Sequence, residues 1–177
     1  MTLAAHAAAP DFALPGVDGR TRSLADYAGA DVLVLVQSCN HCPYVLAWED
    51  RLNAIQREYA DRGVTIVAFN SNDPTTHPGD SFENMVEHAR EKDYAVDYLH
   101  DEDQSLARAL GAERTPEVFV FDRDRSLRYH GAIDDDRDDA AVGTHYLRDA
   151  LDAMLAGGEP EIGDTPAVGC TVKWREG

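Results

Sequence analysis

Val32-Leu33-Val34-Leu35-Val36-Gln37-Ser38-Cys39-Asn40-His41-Cys42-Pro43 joins an unbroken apolar run to two cysteines separated by two residues. The apolar run reads as a buried strand, and the residues beyond Pro43 read as an amphipathic helix. A buried strand therefore delivers both cysteines to the start of a helix. There the first free N–H groups and the positive end of the helix dipole stabilise a thiolate. The spacing lets both sulfurs approach within bonding range on one turn, so the pair can open and close without refolding. In this context it reads as a redox dithiol. In other settings such a pair is half of a zinc site, but that needs a second Cys/His pair at ligand spacing. The sequence has none, and no metal is expected.

Beyond Pro43, Val45, Trp48, Leu52, Ile55 and Tyr59 fall at steps of three and four and mark one helical face. Pro43 sits in the first turn, where a missing N–H costs little. Asp61-Arg62-Gly63 ends the helix, and Val64 to Phe69 is a second buried strand, so a right-handed crossover with parallel pairing follows. Upstream, Asp18-Gly19 between half-apolar runs predicts a hairpin, and Ser23 to Ala28 a short helical turn stopped by Gly29. Downstream, Asn70 to Asp80 reads as a polar loop and Ser81 to Lys92 as a helix. Tyr94 to Leu99 reads as a short strand and Gln104 to Leu110 as a short helix. Glu117 to Phe121 and Leu127 to Ile133 read as an antiparallel pair. Asp134 to Asp139 reads as solvated surface, and Leu147, Ala150, Leu151, Met154 and Leu155 as the face of a last helix. The tail ends in Val168-Gly169-Cys170-Thr171-Val172-Lys173-Trp174, apolar enough to pack on the body.

A chain of 177 residues fits one domain with a full core, here about residues 10–156 with a C-terminal tail over 157–177. A formal net charge of −17 excludes a nucleic-acid binder held by phosphate contacts. Of sixteen basic residues only Lys92 and Lys173 are lysine, and aspartate outnumbers glutamate, a composition of the kind salt-tolerant proteins use. Dialysis into low salt is accordingly expected to lower the thermal unfolding temperature; a temperature unchanged across salt would count against that reading. The start lacks the basic and long apolar regions of a signal peptide, and no stretch approaches membrane-spanning length. A cytoplasmic location is expected, with cysteines that are reactive or buried rather than bridged.

The order strand, dithiol, helix, strand, Thr-Pro, hairpin, helix resembles the thioredoxin fold: α/β, a central mixed sheet flanked by helices, with an N-terminal hairpin and a C-terminal extension. Cys39-Asn40-His41-Cys42 and Arg114-Thr115-Pro116 carry that resemblance. Ala9-Pro10-Asp11-Phe12-Ala13-Leu14 and Val17-Asp18-Gly19 resemble the peroxiredoxin-like (redoxin, AhpC/TSA-like) branch, as do the CNHCPYV, FNSNDP, RTPEVFVFD and GCTVKW stretches. The resemblance implies that Cys39 is the exposed nucleophile, Cys42 the resolving thiol and Pro116 a cis proline facing them. The alternative for Pro116 is an ordinary edge-strand start. It also implies that Thr115 leaves its backbone free to pair with an extended substrate, with Asn40 as a further contact. Two positions depart from thioredoxins: Ser38 stands where tryptophan precedes the first cysteine, and Leu33 where a buried acid would accept a proton.

The expected chemistry is thiol–disulfide exchange, which calls for no cofactor. The partners are a disulfide-containing protein or a small thiol or peroxide substrate, and a reductant the sequence does not identify; neither nucleic acid nor membrane is among them. A cationic His41 near Cys39 would favour the thiolate and raise the potential above thioredoxin's value of about −270 mV; otherwise His41 is a loop histidine. The alternative enzyme is a thiol peroxidase, which uses Pro-x-x-x-Thr/Ser-x-x-Cys. With Cys42 in that role, Cys39 replaces the threonine and Leu35 the proline, and Pro116 takes the place of the supporting arginine. A non-enzymatic protein- or metal-binding module is the third reading. Cys170 is either a small buried hydrophobe or an additional redox thiol brought back by the tail.

Overall fold

The computed structural model describes residues 1–176. Gly19, at a φ of 82°, makes the turn that pairs Ala13–Pro15 (β1) antiparallel with Thr21–Ser23 (β2). After a 3₁₀ turn over Leu24–Tyr27, Val32–Ser38 (β3) runs through the interior with all seven residues buried. Helix Pro43–Tyr59 (α1) follows, then a 3₁₀ turn and Gly63 in the left-handed region, which closes the helix and starts Val64–Asn70 (β4).

Phe82–Glu91 (α2) is capped by Ser81, whose Oγ accepts the Asn84 N–H at 3.2 Å. Then come Asp97–His100 (β5), Ser105–Leu110 (α3), Arg114–Thr115 (β6), Glu117–Phe121 (β7) and Leu127–Gly131 (β8). Tyr146–Leu155 (α4) and the short Cys170–Thr171 (β9) complete the chain.

Five strands form one mixed sheet in the order β5-β4-β3-β7-β8. β3, β4 and β5 are parallel, and β7 runs antiparallel to both β3 and β8. The unbroken apolar text of β3 has its reason here, because alternate side chains enter two separate cores. Val32, Val34 and Val36 pack with Trp48, Leu52 and Ile55 of α1 and with Leu147 and Leu151 of α4. Leu33 and Leu35 pack on the other face with Phe119, Phe121 and with Leu106 and Leu110 of α3. Each such side chain, fully buried, contributes about 1.5–3 kcal/mol. Leu33, at the position of the thioredoxin acid, is simply part of that second core.

Two strands shift at their edges, each because a side chain takes over backbone pairing. β5 begins at Asp97 rather than Tyr94, since the Ala95 and Val96 N–H groups donate to Asn53 Oδ1 at 2.6 and 3.1 Å. β8 stops at Gly131 because the Ala132 N–H donates to Thr165 Oγ1 at 3.0 Å. Asp134 is not solvated with the rest of its charge run: it is buried and accepts from Trp48 Nε1 at 2.7 Å and Arg51 Nη1 at 2.6 Å. No helix among the described residues is long and apolar enough to cross a membrane.

Candidate active site

β3 ends at Ser38, and the four residues before α1 hold both cysteines between two walls. The first wall is polar and comes from the segment after β4. The Asn40 N–H donates to Asp80 Oδ1 at 2.8 Å, Asn40 Nδ2 donates to the Gly79 carbonyl at 3.0 Å, and the Tyr98 hydroxyl donates to Asn40 Oδ1 at 2.7 Å. Asn70 Nδ2 and Asn72 Nδ2 each donate to Asp80 at 3.1 Å. Asn40, expected as a substrate contact, is 2% exposed and uses its side-chain hydrogen bonds to pin the loop to the body. The two ends of the stretch that reads as a polar loop form a buried hydrogen-bonded floor, Asn70, Ser71, Asn72, Asp73 and Asp80 all being buried, while Thr75 to Pro78 between them are exposed.

The second wall is the loop before β7. The Thr115–Pro116 peptide is cis. Glu117 Oε2 fixes that loop by accepting the N–H groups of Glu113 and Arg114 at 2.7 and 2.9 Å, and Glu117 Oε1 pairs with His130 Nε2 at 2.7 Å. Thr115 faces both sulfurs, with its Oγ1 3.6 Å from Cys39 Sγ and its carbonyl oxygen 3.5 Å from Cys42 Sγ.

The backbone of Thr115 is not free. The tail returns as β9 and pairs antiparallel with β6, Thr115 opposite Cys170 and Arg114 opposite Thr171. Contacts on either side of Lys173 hold it down: its N–H donates to Asn72 Oδ1 at 2.8 Å, and its carbonyl accepts from the Asp73 N–H at 2.9 Å. The open substrate edge expected at Thr115 is thus covered by the chain itself.

The cysteines are free thiols, and Cys39 is not exposed: it is 2% accessible and Cys42 6%. Their electrostatics lower the pKa of Cys42 and raise that of Cys39, the opposite order to the one the resemblance implied. Cys42 is the N-cap of α1, and the Val45 N–H faces its sulfur without making a capping bond. The Cys39 thiol donating to Cys42 is the main influence that lowers the Cys42 pKa, to about 4; burial opposes it, and the Cys170 thiol and the helix terminus assist. Cys39 is pushed well up because its S–H is held by Cys42, because it lies deeper, and because Asp80 places negative charge nearby. Between the two sulfurs, the shallower position, the Cys170 thiol and the helix N-terminus favour the thiolate on Cys42, whereas the Thr115 carbonyl favours the protonated form there.

His41 is exposed, with Nε2–H donating to the Gly79 carbonyl at 2.8 Å. A Cβ on Gly79 would come within 2.4 Å of that ring, so glycine there is what lets the imidazole lie flat on the loop. Among the described residues no three His, Cys, Asp or Glu side chains are grouped as metal ligands. Asp80, Asn70, Asn72 and Tyr98 are the site residues that motif reading misses. Their one signal is the density of Asn, Ser and Asp directly after a buried strand.

The model of the AhpC/TSA family matches residues 5–130. The chain belongs to the AhpC/TSA family. Two solved structures are similar to this AhpC/TSA chain over nearly all its length. A hypothetical protein from Sinorhizobium meliloti 1021 is 35% identical, covering 100% of this chain and 98% of its own at a TM-score of 0.94. An uncharacterized conserved protein from Geobacillus kaustophilus is 38% identical, covering 98% and 94% at 0.93. A thiol:disulfide interchange protein of the thioredoxin family from Chlorobium tepidum TLS is 20% identical, covering 73% and 87% at 0.61, a likeness of fold. No curated protein matches the chain in sequence. The architecture is the thioredoxin-like one, with β9 and the segment leading to it added after α4.

Proposed function

We propose that this AhpC/TSA-family chain is a thiol–disulfide oxidoreductase whose Cys42 and Cys39 cycle between dithiol and disulfide beside the Thr115–Pro116 loop. The observation that carries the reading is a pair of free thiols at a helix N-terminus beside the cis Thr115–Pro116 peptide, with the pKa of Cys42 lowered by its neighbours. The Cys42 thiolate attacks one sulfur of a substrate disulfide; the other substrate sulfur leaves with the electron pair and takes up a proton. Cys39, losing its proton, then attacks Cys42 and expels the reduced substrate. Two electrons have passed to the substrate, and an external dithiol reductant returns them. The test is turnover of glutathione disulfide with dithiothreitol as reductant. Turnover no faster than dithiothreitol alone overturns the reading.

Stabilising the Cys42 thiolate favours the dithiol over the disulfide, so the potential is expected to lie above thioredoxin's, about −270 mV. Equilibration with glutathione buffers, read by alkylation, measures it, and a value at or below thioredoxin's refutes the expectation. The thiolate's neighbours here are Cys39, Cys170 and the helix terminus, with the His41 ring bonded to Gly79.

One observation favours a second reading, thiol peroxidase. Cys42, the ionised sulfur, stands where peroxiredoxins place the cysteine that attacks the peroxide. Against it, Leu35 is core and Cys39 occupies the threonine position. Peroxide consumption with dithiothreitol, compared with glutathione disulfide turnover, separates the two.

A further inference from the structure

Three sulfurs, not two, meet at the head of α1. Cys170 packs on the cluster of Cys39, Cys42 and Val45, and of the two dithiol sulfurs it is Cys42 whose ionisation it assists. The tail that brings it is docked as a substrate strand would be. Besides the pairing of Thr115 with Cys170, the Val172 N–H donates to the Glu113 carbonyl at 3.0 Å and Val172 is buried. Gly169 makes the approach possible: a Cβ there would stand 2.0 Å from the Thr115 carbonyl oxygen and 2.7 Å from its carbon. Cys170 is also the most accessible of the three thiols.

We propose that Cys170 is a third redox sulfur to which the disulfide is passed, by attack of its thiolate on Cys42 of the Cys39–Cys42 bridge. The step rests on the dithiol reading above. The Cys170 sulfur forms a bond to Cys42, the Cys39–Cys42 bond breaks, and Cys39 leaves with the electron pair and takes the proton Cys170 gave up. No electrons enter or leave, so no further reagent is consumed. A thiol of the external dithiol reductant then attacks Cys170 from the accessible side and releases Cys42 as the thiolate.

The same contacts time the transfer. In the dithiol, burial and then the Cys42 thiolate hold the Cys170 thiol up, at about 11, so it does not compete. Once Cys42 is in a disulfide its charge is gone, so the Cys170 thiol is held up less: burial still opposes the thiolate, and Lys173 and Arg114 favour it. Because β9 fills the edge at Thr115, the first substrate to reach Cys42 is a small disulfide rather than an extended polypeptide.

The test is graded oxidation by glutathione disulfide, acid quenching, alkylation and non-reducing peptide mapping. In the unaltered chain both Cys39–Cys42 and Cys42–Cys170 bridges are expected. Cys39→Ser should convert Cys42 to the Cys42–Cys170 bridge at least tenfold in excess of its glutathione adduct. Gly169→Ala, which keeps all three sulfurs but cannot seat the tail, should lower the Cys42–Cys170 bridge at least tenfold while Cys39–Cys42 still forms. Cys170 remaining free in both the unaltered and Cys39→Ser chains overturns the relay, and so does a Gly169→Ala chain that bridges Cys170 undiminished. The Cys39→Ser arm leaves the tail intact and stands if Gly169→Ala does not fold. Failure of the relay alone leaves the Cys39–Cys42 bridge and turnover in place; absence of that bridge in the unaltered chain sinks the dithiol reading and the relay together.

Discussion

Cys42→Ser is expected to lower turnover of glutathione disulfide by at least about 10³-fold, because it removes the sulfur that attacks the substrate disulfide. The accompanying pH behaviour is specific to the way Cys42 is held. Its thiolate fraction is half at about pH 4, so carbamidomethylation of Cys42 should rise through that pH and stay flat to pH 8. A free cysteine, with a pKa near about 8.5, would still be rising there. Cys39→Ala removes the S–H that Cys42 accepts, the foremost cause of its low pKa, so the midpoint should move upward in that variant. A Cys42→Ser chain within tenfold of full turnover, or a Cys42 profile with its midpoint near that of a free thiol, contradicts the assignment.

Asp80→Ala is expected to cost about 2–5 kcal/mol of unfolding free energy, read from the urea midpoint. Asp80 is 5% exposed and accepts from the Asn40 backbone and from the side-chain amides of Asn70 and Asn72. Without it three buried donors lose their partner, and each unsatisfied donor costs about 1–3 kcal/mol before relaxation or water entry. Asp80→Asn keeps the volume and one acceptor oxygen but turns an N–H₂ toward donors, so its loss should be intermediate. Both variants also withdraw negative charge from beside Cys39, so the Cys39 thiol should titrate lower than in the unaltered chain. A loss under about 0.5 kcal/mol for Asp80→Ala, the range of ordinary surface substitutions, would mean the floor does not hold the loop.

Periodicity was enough for the scaffold, because burial dictates it. Val32 to Val36 has to satisfy two cores, and the steps from Val45 to Tyr59 leave one helical face, so β3, α1 and β4 lie close to where the pattern puts them. The dithiol was legible for the same reason: strand end and helix start are local facts. Long-range pairing is what escaped. Nothing in Asn70-Ser71-Asn72-Asp73 says that these side chains turn inward, since polar residues read as solvated until a partner such as Asn40 or Lys173 is known to face them. Nor does Gly169-Cys170 announce a strand. Its two-residue pairing with Arg114 and Thr115 joins positions 55 and more residues apart, and it reversed the expectation of an open edge. The order of ionisation between Cys39 and Cys42 likewise follows from depth and from a third sulfur delivered by the tail.

β3 is paired with β4 over its whole length and with β7 from Leu33 to Gln37, and all its residues are buried, so the strand that presents the cysteines is the last part of the molecule to give way. β9 is held by two residue pairs and a few contacts around Lys173. Any fraying near the sulfurs is therefore expected first at this hem of the molecule, while the scaffold that aims them stays in place.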